Sequence, residues 1–201
     1  MKAKKIKLIL WDFNGVTVTG NHKSTSRKYG KIHGTPWKKV YNILYTKYFN
    51  MVVENKISER DGWIKSIQEL GWQQDWRLMR KWHLHQHKIR KTVVLYVTSL
   101  RKRGYECVLL SKNLATWFVI EEGYLHFKQY FDTTINTQAL NLPKARKKTM
   151  QYICKRFDVG PSEIIYIDDL PQNLKVPESM GVKTVLYKKF KQIRREVTSY
   201  L

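Results

Sequence analysis

Apolar positions recur along this chain with two different periods. Residues 6–12, Ile6-Lys7-Leu8-Ile9-Leu10-Trp11-Asp12, form a short apolar run that closes on an acid, as a central parallel strand does. Residues 13–34 are rich in Gly, Thr and Ser, with turn signals at Gly15, Gly20, Gly30 and Gly34. Pro36 then opens a helical pattern in which Val40, Leu44, Tyr48 and Val52 recur at four-residue spacing. Ser58-Glu59-Arg60-Asp61 resembles a capping box with Asp61 in place of the usual Glu or Gln, and the helix it starts runs to Gly71. Further helical patterns cover about 75–86 and 88–103.

Beyond Gly104 the rhythm changes. Short apolar runs at Tyr105–Leu110, Phe131–Ile135, Ile164–Ile167 and Val182–Leu186 read as strands. Between them, Asn113–Glu122, Arg146–Phe157 and Pro171–Met180 read as helices. Strands alternating with helices predict an α/β fold, a doubly wound parallel sheet with helices on both faces. The helix-only stretch 19–91 interrupts this order after the first strand. It reads as an inserted all-helical cap, leaving 1–18 plus 92–201 as the core domain. No internal repeat is visible.

Composition adds limits. The 201 residues suffice for one core domain with a modest insertion, and 42% hydrophobic content suits a globular protein. No apolar run approaches the roughly 20 residues that a membrane helix needs. The basic start before Leu8 precedes too short an apolar stretch for an export signal, so a cytoplasmic location is expected. Cys107 and Cys154 both fall in apolar patterns and read as buried, reduced thiols. The formal net charge of +22 does not decide the fold, but it points to an anionic partner or a heavily solvated basic surface.

Candidate chemistry gathers at the strand ends, where ligands bind in open parallel sheets. Asp12 ends the first strand, Ser111 follows Val108-Leu109-Leu110, and Asp168-Asp169 follow Ile164–Ile167. Lys144 precedes the helix leading to that last strand; Lys147 is its substitute within a basic run. A carboxylate such as Asp12 can attack phosphorus and form an aspartyl-phosphate. Magnesium prefers oxygen ligands, which Asp12 and Asp168 offer, with Asp169 beside them. Lys144 would neutralise charge on Asp12, and Ser111 would hydrogen-bond a phosphoryl oxygen. Gly15 would let backbone N–H groups approach the phosphate.

These segments resemble the haloacid dehalogenase-like hydrolases. The resemblance rests on Asp12-Phe13-Asn14-Gly15-Val16, on Ser111 in Leu109-Leu110-Ser111-Lys112-Asn113, on Lys144 after Pro143, and on Asp168-Asp169 followed by Asn173 and Gly181-Val182. It covers the whole chain, including Ile57 to Gly71 as part of a helical cap. It implies Asp12 and Lys144 as catalytic residues and Ser111, Gly15, Lys112 and Asn113 as substrate-binding residues. The metal ligands implied are Asp12, the backbone carbonyl of Asn14, Asp168 and Asp169, with Mg2+ as cofactor. The implied function is a magnesium-dependent, phosphatase-like hydrolysis of a phosphorylated small molecule.

Asn14 departs from the pattern, because family phosphatases place an Asp there as general acid and base. An amide cannot exchange a proton near neutral pH, and such help is typically worth about 10²–10⁴-fold. Either good leaving groups such as acyl phosphates are preferred, or another acid is recruited, or turnover is lost and binding kept. Dehalogenation fits the Asp12/Asp168 pair less well than phosphoryl transfer. The alternative function is a catalytically weak protein of this family that binds nucleic acid or another anionic partner.

Three further features bear on partners. His83 and His87 lie one helical turn apart, as a zinc pair would, but no carboxylate or Cys accompanies them, and a wet cap face is expected. Residues 19–91 hold 16 Lys and Arg against 5 Asp and Glu, interleaved with Trp37, Tyr41, Tyr45, Tyr48, Trp63, Trp72, Trp76 and Trp82. Such interleaving can bind nucleic acid, although helical spacing favours these aromatics as the cap's own core. The basic tail Lys188–Arg195 reads as a solvated terminal helix. Nothing points to a membrane partner, and the oligomeric state is not legible.

Overall fold

The computed structural model describes residues 6–144 and 146–201. The basic start Met1–Lys5, part of the segment read above as carrying no export signal, lies outside the described residues, as does Ala145. The chain divides into two compact units: Met1–Val18 with Ile89–Leu201, and Thr19–Lys88.

In chain order the elements are β1 (Leu8–Asp12), β2 (Val18–Thr19), α1 (His22–Ile32), α2 (Trp37–Tyr41), a π-helical stretch (Asn42–Phe49), α3 (Asn50–Val53), α4 (Glu59–Leu70), α5 (Trp76–Leu84), β3 (Lys88–Ile89), α6 (Lys91–Lys102), β4 (Glu106–Ser111), α7 (Ala115–Leu125), β5 (Thr133–Asn136), α8 (Lys147–Phe157), β6 (Ile164–Asp168), α9 (Pro171–Ser179), β7 (Lys183–Leu186) and α10 (Phe190–Tyr200). No helix among the described residues is long and apolar enough to cross a membrane.

The main sheet has the order β5-β4-β1-β6-β7, with every pairing parallel. All five residues of β1 are buried, which explains its unbroken apolar run. One sheet face packs Ile9, Trp11, Leu109 and Ile165 against Val93 and Val97 of α6, Phe118 of α7 and Ile193 and Val197 of α10. The other packs Leu8, Leu10, Val108 and Tyr166 against Met150 and Ile153 of α8 and Leu174 of α9. Helices therefore cover both faces, as the doubly wound expectation requires. The basic tail belongs to α10, whose apolar side enters the core.

Within Thr19–Lys88, Ser58 caps α4 by accepting from the Asp61 amide at 3.0 Å, and Gly71 ends that helix in the left-handed region. Several sequence readings need correction, among them the helix read over 88–103, which begins at Lys91 after the short strand β3. The turn-rich stretch 13–34 contains α1, capped by Asn21. Gly30 is no turn residue: it lies inside α1, where a Cβ would stand 2.5 Å from the Thr35 carbonyl oxygen, so glycine serves close backbone packing there. The His83–His87 pair is not wet. His83 is fully buried, with Nδ1 3.0 Å from the Tyr45 hydroxyl, and His87 is buried beside it. Cys107 is buried, with its thiol pushed up to about 12 by burial above all, whereas Cys154 is only half-buried.

Burial, followed by His87 and His22, holds His83 well below the ordinary histidine pKa. The unfolded chain therefore takes up a proton that the folded unit refuses. The stability His83 contributes is fully present above about pH 6.5, the unperturbed histidine value, and falls as pH drops toward its folded value. Acid should cost up to about 1.4 kcal/mol for each pH unit below that point. Thermal unfolding between pH 7 and 5.5 checks this: the midpoint should fall in the wild type and fall less in His83→Gln.

Candidate active site

Parallel register builds the site before any loop contributes. Leu10 of β1 lies opposite Tyr166 of β6, and Trp11 opposite Ile167, so the next step brings Asp12 level with Asp168. Side chains two apart on a strand share a face. Asp12 thus continues the Leu8-Leu10 side, and Asp168 the Tyr166 side. Two carboxylates on one face of adjacent strands repel each other. Lys144 answers them. Its ammonium, on a side chain only 4% exposed, pairs with Asp12 Oδ1 and with Asp168 Oδ2, the latter at 2.9 Å. Thr149 of α8 donates to the Pro143 carbonyl at 2.7 Å and so ties down the loop that carries Lys144.

Asp168 is held from several sides. Tyr166 Oη donates to its Oδ2 at 2.6 Å, the Leu170 amide to its Oδ1 at 2.9 Å, and Asn173 Nδ2 to both oxygens at 3.0 Å. A carboxylate has about four lone-pair sites, and these donors together with Lys144 occupy them. Asp168 is buried, while Asp169 is half-buried and flanks Gly15. Gly15 takes φ +91°, and a Cβ there would stand 2.2 Å from Asp169 Oδ2. Glycine is needed at this position both for backbone conformation and for space.

The loop after β1 closes tightly. Thr17 Oγ1 donates to the Asp12 carbonyl at 2.7 Å, the Val18 amide to the Phe13 carbonyl at 3.0 Å, and the Gly15 amide to the Val18 carbonyl at 3.2 Å. These bonds leave the Asn14 carbonyl out. Asn14 Oδ1 is buried with no hydrogen-bond partner among the described residues.

Ligand oxygens of Asp12, Asp168 and Asp169 lie within 4.8 Å of one another. An all-oxygen set of this size, with a spare backbone carbonyl nearby, suits magnesium. Burial, then Asp168, push the Asp12 carboxyl well above the usual carboxylate range; Lys144 pulls the other way, and Asp169 adds to the rise. Burial also opposes the charge on Lys144, but Asp12 and Asp168 outweigh it and keep its pKa above the ordinary lysine value. Three carboxylates against one ammonium leave a deficit of positive charge, which a divalent cation would fill.

Of the other residues read from sequence, Ser111 is buried at the end of β4 and accepts from the Asn113 amide at 3.1 Å. Asn113 is turned inward: its side-chain amide donates to Glu121, and its Oδ1 accepts from the Leu114 amide. Lys112 is exposed. Sequence reasoning missed Thr17, Tyr166 and the double bond from Asn173. The signal for Tyr166 was present, since a hydroxyl in a strand buried on both faces needs a partner, and the side chain two positions on is Asp168.

The fold and the site together define a doubly wound α/β protein with acids and a buried lysine at the carboxyl edge of its sheet. The chain belongs to the haloacid dehalogenase-like hydrolases: residues 64–187 match that family's model. Among solved structures, an enzyme of this family from Bacteroides thetaiotaomicron, complexed with magnesium and inorganic phosphate, is 18% identical, with a TM-score of 0.71 over 91% of this chain and 94% of that one. L-2-haloacid dehalogenase from Xanthobacter autotrophicus, with chloropropionic acid covalently bound, is 12% identical, with a TM-score of 0.68 over 96% of this chain and 83% of that one. Bifunctional epoxide hydrolase 2 of Rattus norvegicus is 21% identical over 116 residues, which is 54% of this chain and 20% of that protein. The chain thus spans a fifth or less of the length of the curated relatives it matches.

Removing the ammonium exposes its role. Lys144→Met leaves buried carboxylates unbalanced, a change expected to cost about 3–5 kcal/mol. Denaturant unfolding should show that loss without magnesium, and added magnesium should stabilise the variant more than the wild type. Equal stability of the two proteins without metal would contradict the balance described.

Proposed function

We propose that this chain is a magnesium-dependent phosphatase-like hydrolase acting through an aspartyl-phosphate on Asp12, with a preference for substrates whose leaving group needs no proton. The observation that carries the reading is the placement of Lys144 between Asp12 and Asp168. It holds the Asp12 carboxylate at the sheet edge and supplies positive charge where a phosphoryl group would sit. Asp12, Asp169 and the Asn14 carbonyl would hold the magnesium ion, and Asp168 would mainly anchor Lys144. When bound, the ion would screen the nucleophile from the phosphate and stabilise charge on the transferring oxygens. Ser111 and the backbone N–H groups near Gly15 would take phosphoryl oxygens. The helical unit Thr19–Lys88 would serve as the family's cap.

In the first step a carboxylate oxygen of Asp12 bonds to phosphorus as the bond to the leaving oxygen breaks, and that oxygen departs with the electron pair. An acyl phosphate releases a carboxylate, which is stable without protonation. An alkyl ester releases an alkoxide, which needs a proton that Asn14 cannot give. Water then attacks phosphorus as the bond from phosphorus to the Asp12 oxygen breaks; because Asn14 cannot act as base, the water's proton passes to a phosphoryl oxygen, which frees inorganic phosphate and restores the Asp12 carboxylate.

Purified protein assayed with and without magnesium on acyl phosphates, phosphate esters and 2-chloropropionate tests this. Magnesium-dependent turnover on acyl phosphates is expected, abolished by Asp12→Ala. Asn14→Asp should raise ester turnover toward the 10²–10⁴-fold worth of a general acid and raise acyl phosphate turnover less, since there only hydrolysis of the phosphoenzyme gains a base. Chloride release without phosphatase activity, or activity that survives Asp12→Ala, would overturn the proposal.

A further inference from the structure

No acidic residue occurs between Asp12 and Glu54. The helical pair α1–α2 falls inside that stretch and carries Lys23, Arg27, Lys28, Lys31, Lys38 and Lys39, all exposed. None of the six makes an ion pair among the described residues. Elsewhere in the same unit four of the eight other cations find carboxylates: Lys47 with Glu69, Lys56 with Glu54, Arg77 with Asp75 and Arg80 with Glu59.

This arrangement carries a cost that is offset only in part within the unit, by Lys31 in the last turn of α1, Lys38 and Lys39 in the last turn of α2, and Arg27 over Trp37. Like charges on one surface repel, and Lys23 in the first turn of α1, with no acid there to offset it, opposes the helix dipole. Geometry supplies a return from outside. Lys23, Arg27 and Lys31 are spaced four residues apart, so they line one side of α1 over roughly 12 Å. Three cations in a row of this length can meet successive phosphates of an extended nucleic-acid strand. The Arg27 guanidinium lies over the half-buried Trp37 ring, 4.6 Å from its centroid, so the ring holds that cation in the row. Cations that track a backbone, with an arginine over an aromatic ring among them, belong to the recognition chemistry of single strands.

We infer that the α1–α2 face binds the phosphate backbone of a single-stranded nucleic acid, with Lys23, Arg27 and Lys31 as the phosphate row and Trp37 as the ring that holds Arg27 in that row. This inference does not rest on the phosphatase reading, because none of these residues belongs to the acid–lysine site.

Fluorescence anisotropy of a labelled single-stranded oligonucleotide with the full chain tests it. The triple variant Lys23→Glu, Arg27→Glu, Lys31→Glu is compared with Lys188→Glu, Lys189→Glu, Lys191→Glu, which changes the net charge equally at exposed positions of another region. The first should weaken binding at least about tenfold more than the second, and flatten the dependence of log affinity on log salt by about 2. Trp37→Ala should weaken binding about two- to fivefold by releasing Arg27 from the ring. Circular dichroism establishes that each variant is folded. Equal losses in the two triple variants would overturn the inference, as would no oligonucleotide binding at about 0.15 M salt, or binding to anionic phospholipid vesicles in place of the oligonucleotide.

Discussion

The Lys144 ammonium lets two like-charged strand ends share one edge. Register alone sets Asp12 beside Asp168, at the ends of strands buried throughout. At this depth water cannot screen them, so either one acid is protonated or a cation stands between them. Lys144 is that cation, and the loop that carries it is tied back to α8 by Thr149. Tyr166, Asn173 and the Leu170 amide then fix Asp168 from the other side, so the lysine has a rigid anchor.

This constraint divides labour among acids that look alike in sequence. Asp168 has its oxygens occupied by donors. Asp12 is paired through one oxygen, and Asp169 is half-buried against Gly15. In the proposed mechanism the metal therefore falls to Asp12, Asp169 and the Asn14 carbonyl, with Asp168 as the positioning group. Asn14 marks a second division. It keeps the backbone carbonyl that a metal needs and gives up the carboxyl that a poor leaving group needs.

Much of the core was legible because its strands are buried on both faces. Continuous apolar runs as short as Leu8–Trp11 and Ile164–Ile167 suit a central parallel strand and little else, and an acid directly after each run falls at the carboxyl edge by topology. The helices of the core followed from amphipathic spacing. What sequence hid were contacts between positions far apart in the chain. Gly30 read as a turn because a helix-packing glycine and a turn glycine look the same until Thr35 is seen against it. His83 read as wet because its burial depends on Tyr45, Trp63 and His22 from other helices. Asn113 stood in a motif, yet its side chain reaches Glu121, eight residues along α7.

Everything proposed for the acid–lysine site requires that Asp12 itself become phosphorylated. Rapid acid quench of the protein with an acyl phosphate and magnesium, followed by peptide mass spectrometry, tests this most directly. One phosphoryl adduct on the peptide carrying Asp12, absent from Asp12→Ala and from a magnesium-free sample, is the predicted result. A phosphoryl group found on a different residue, or steady turnover with no adduct at any quench time, would contradict it.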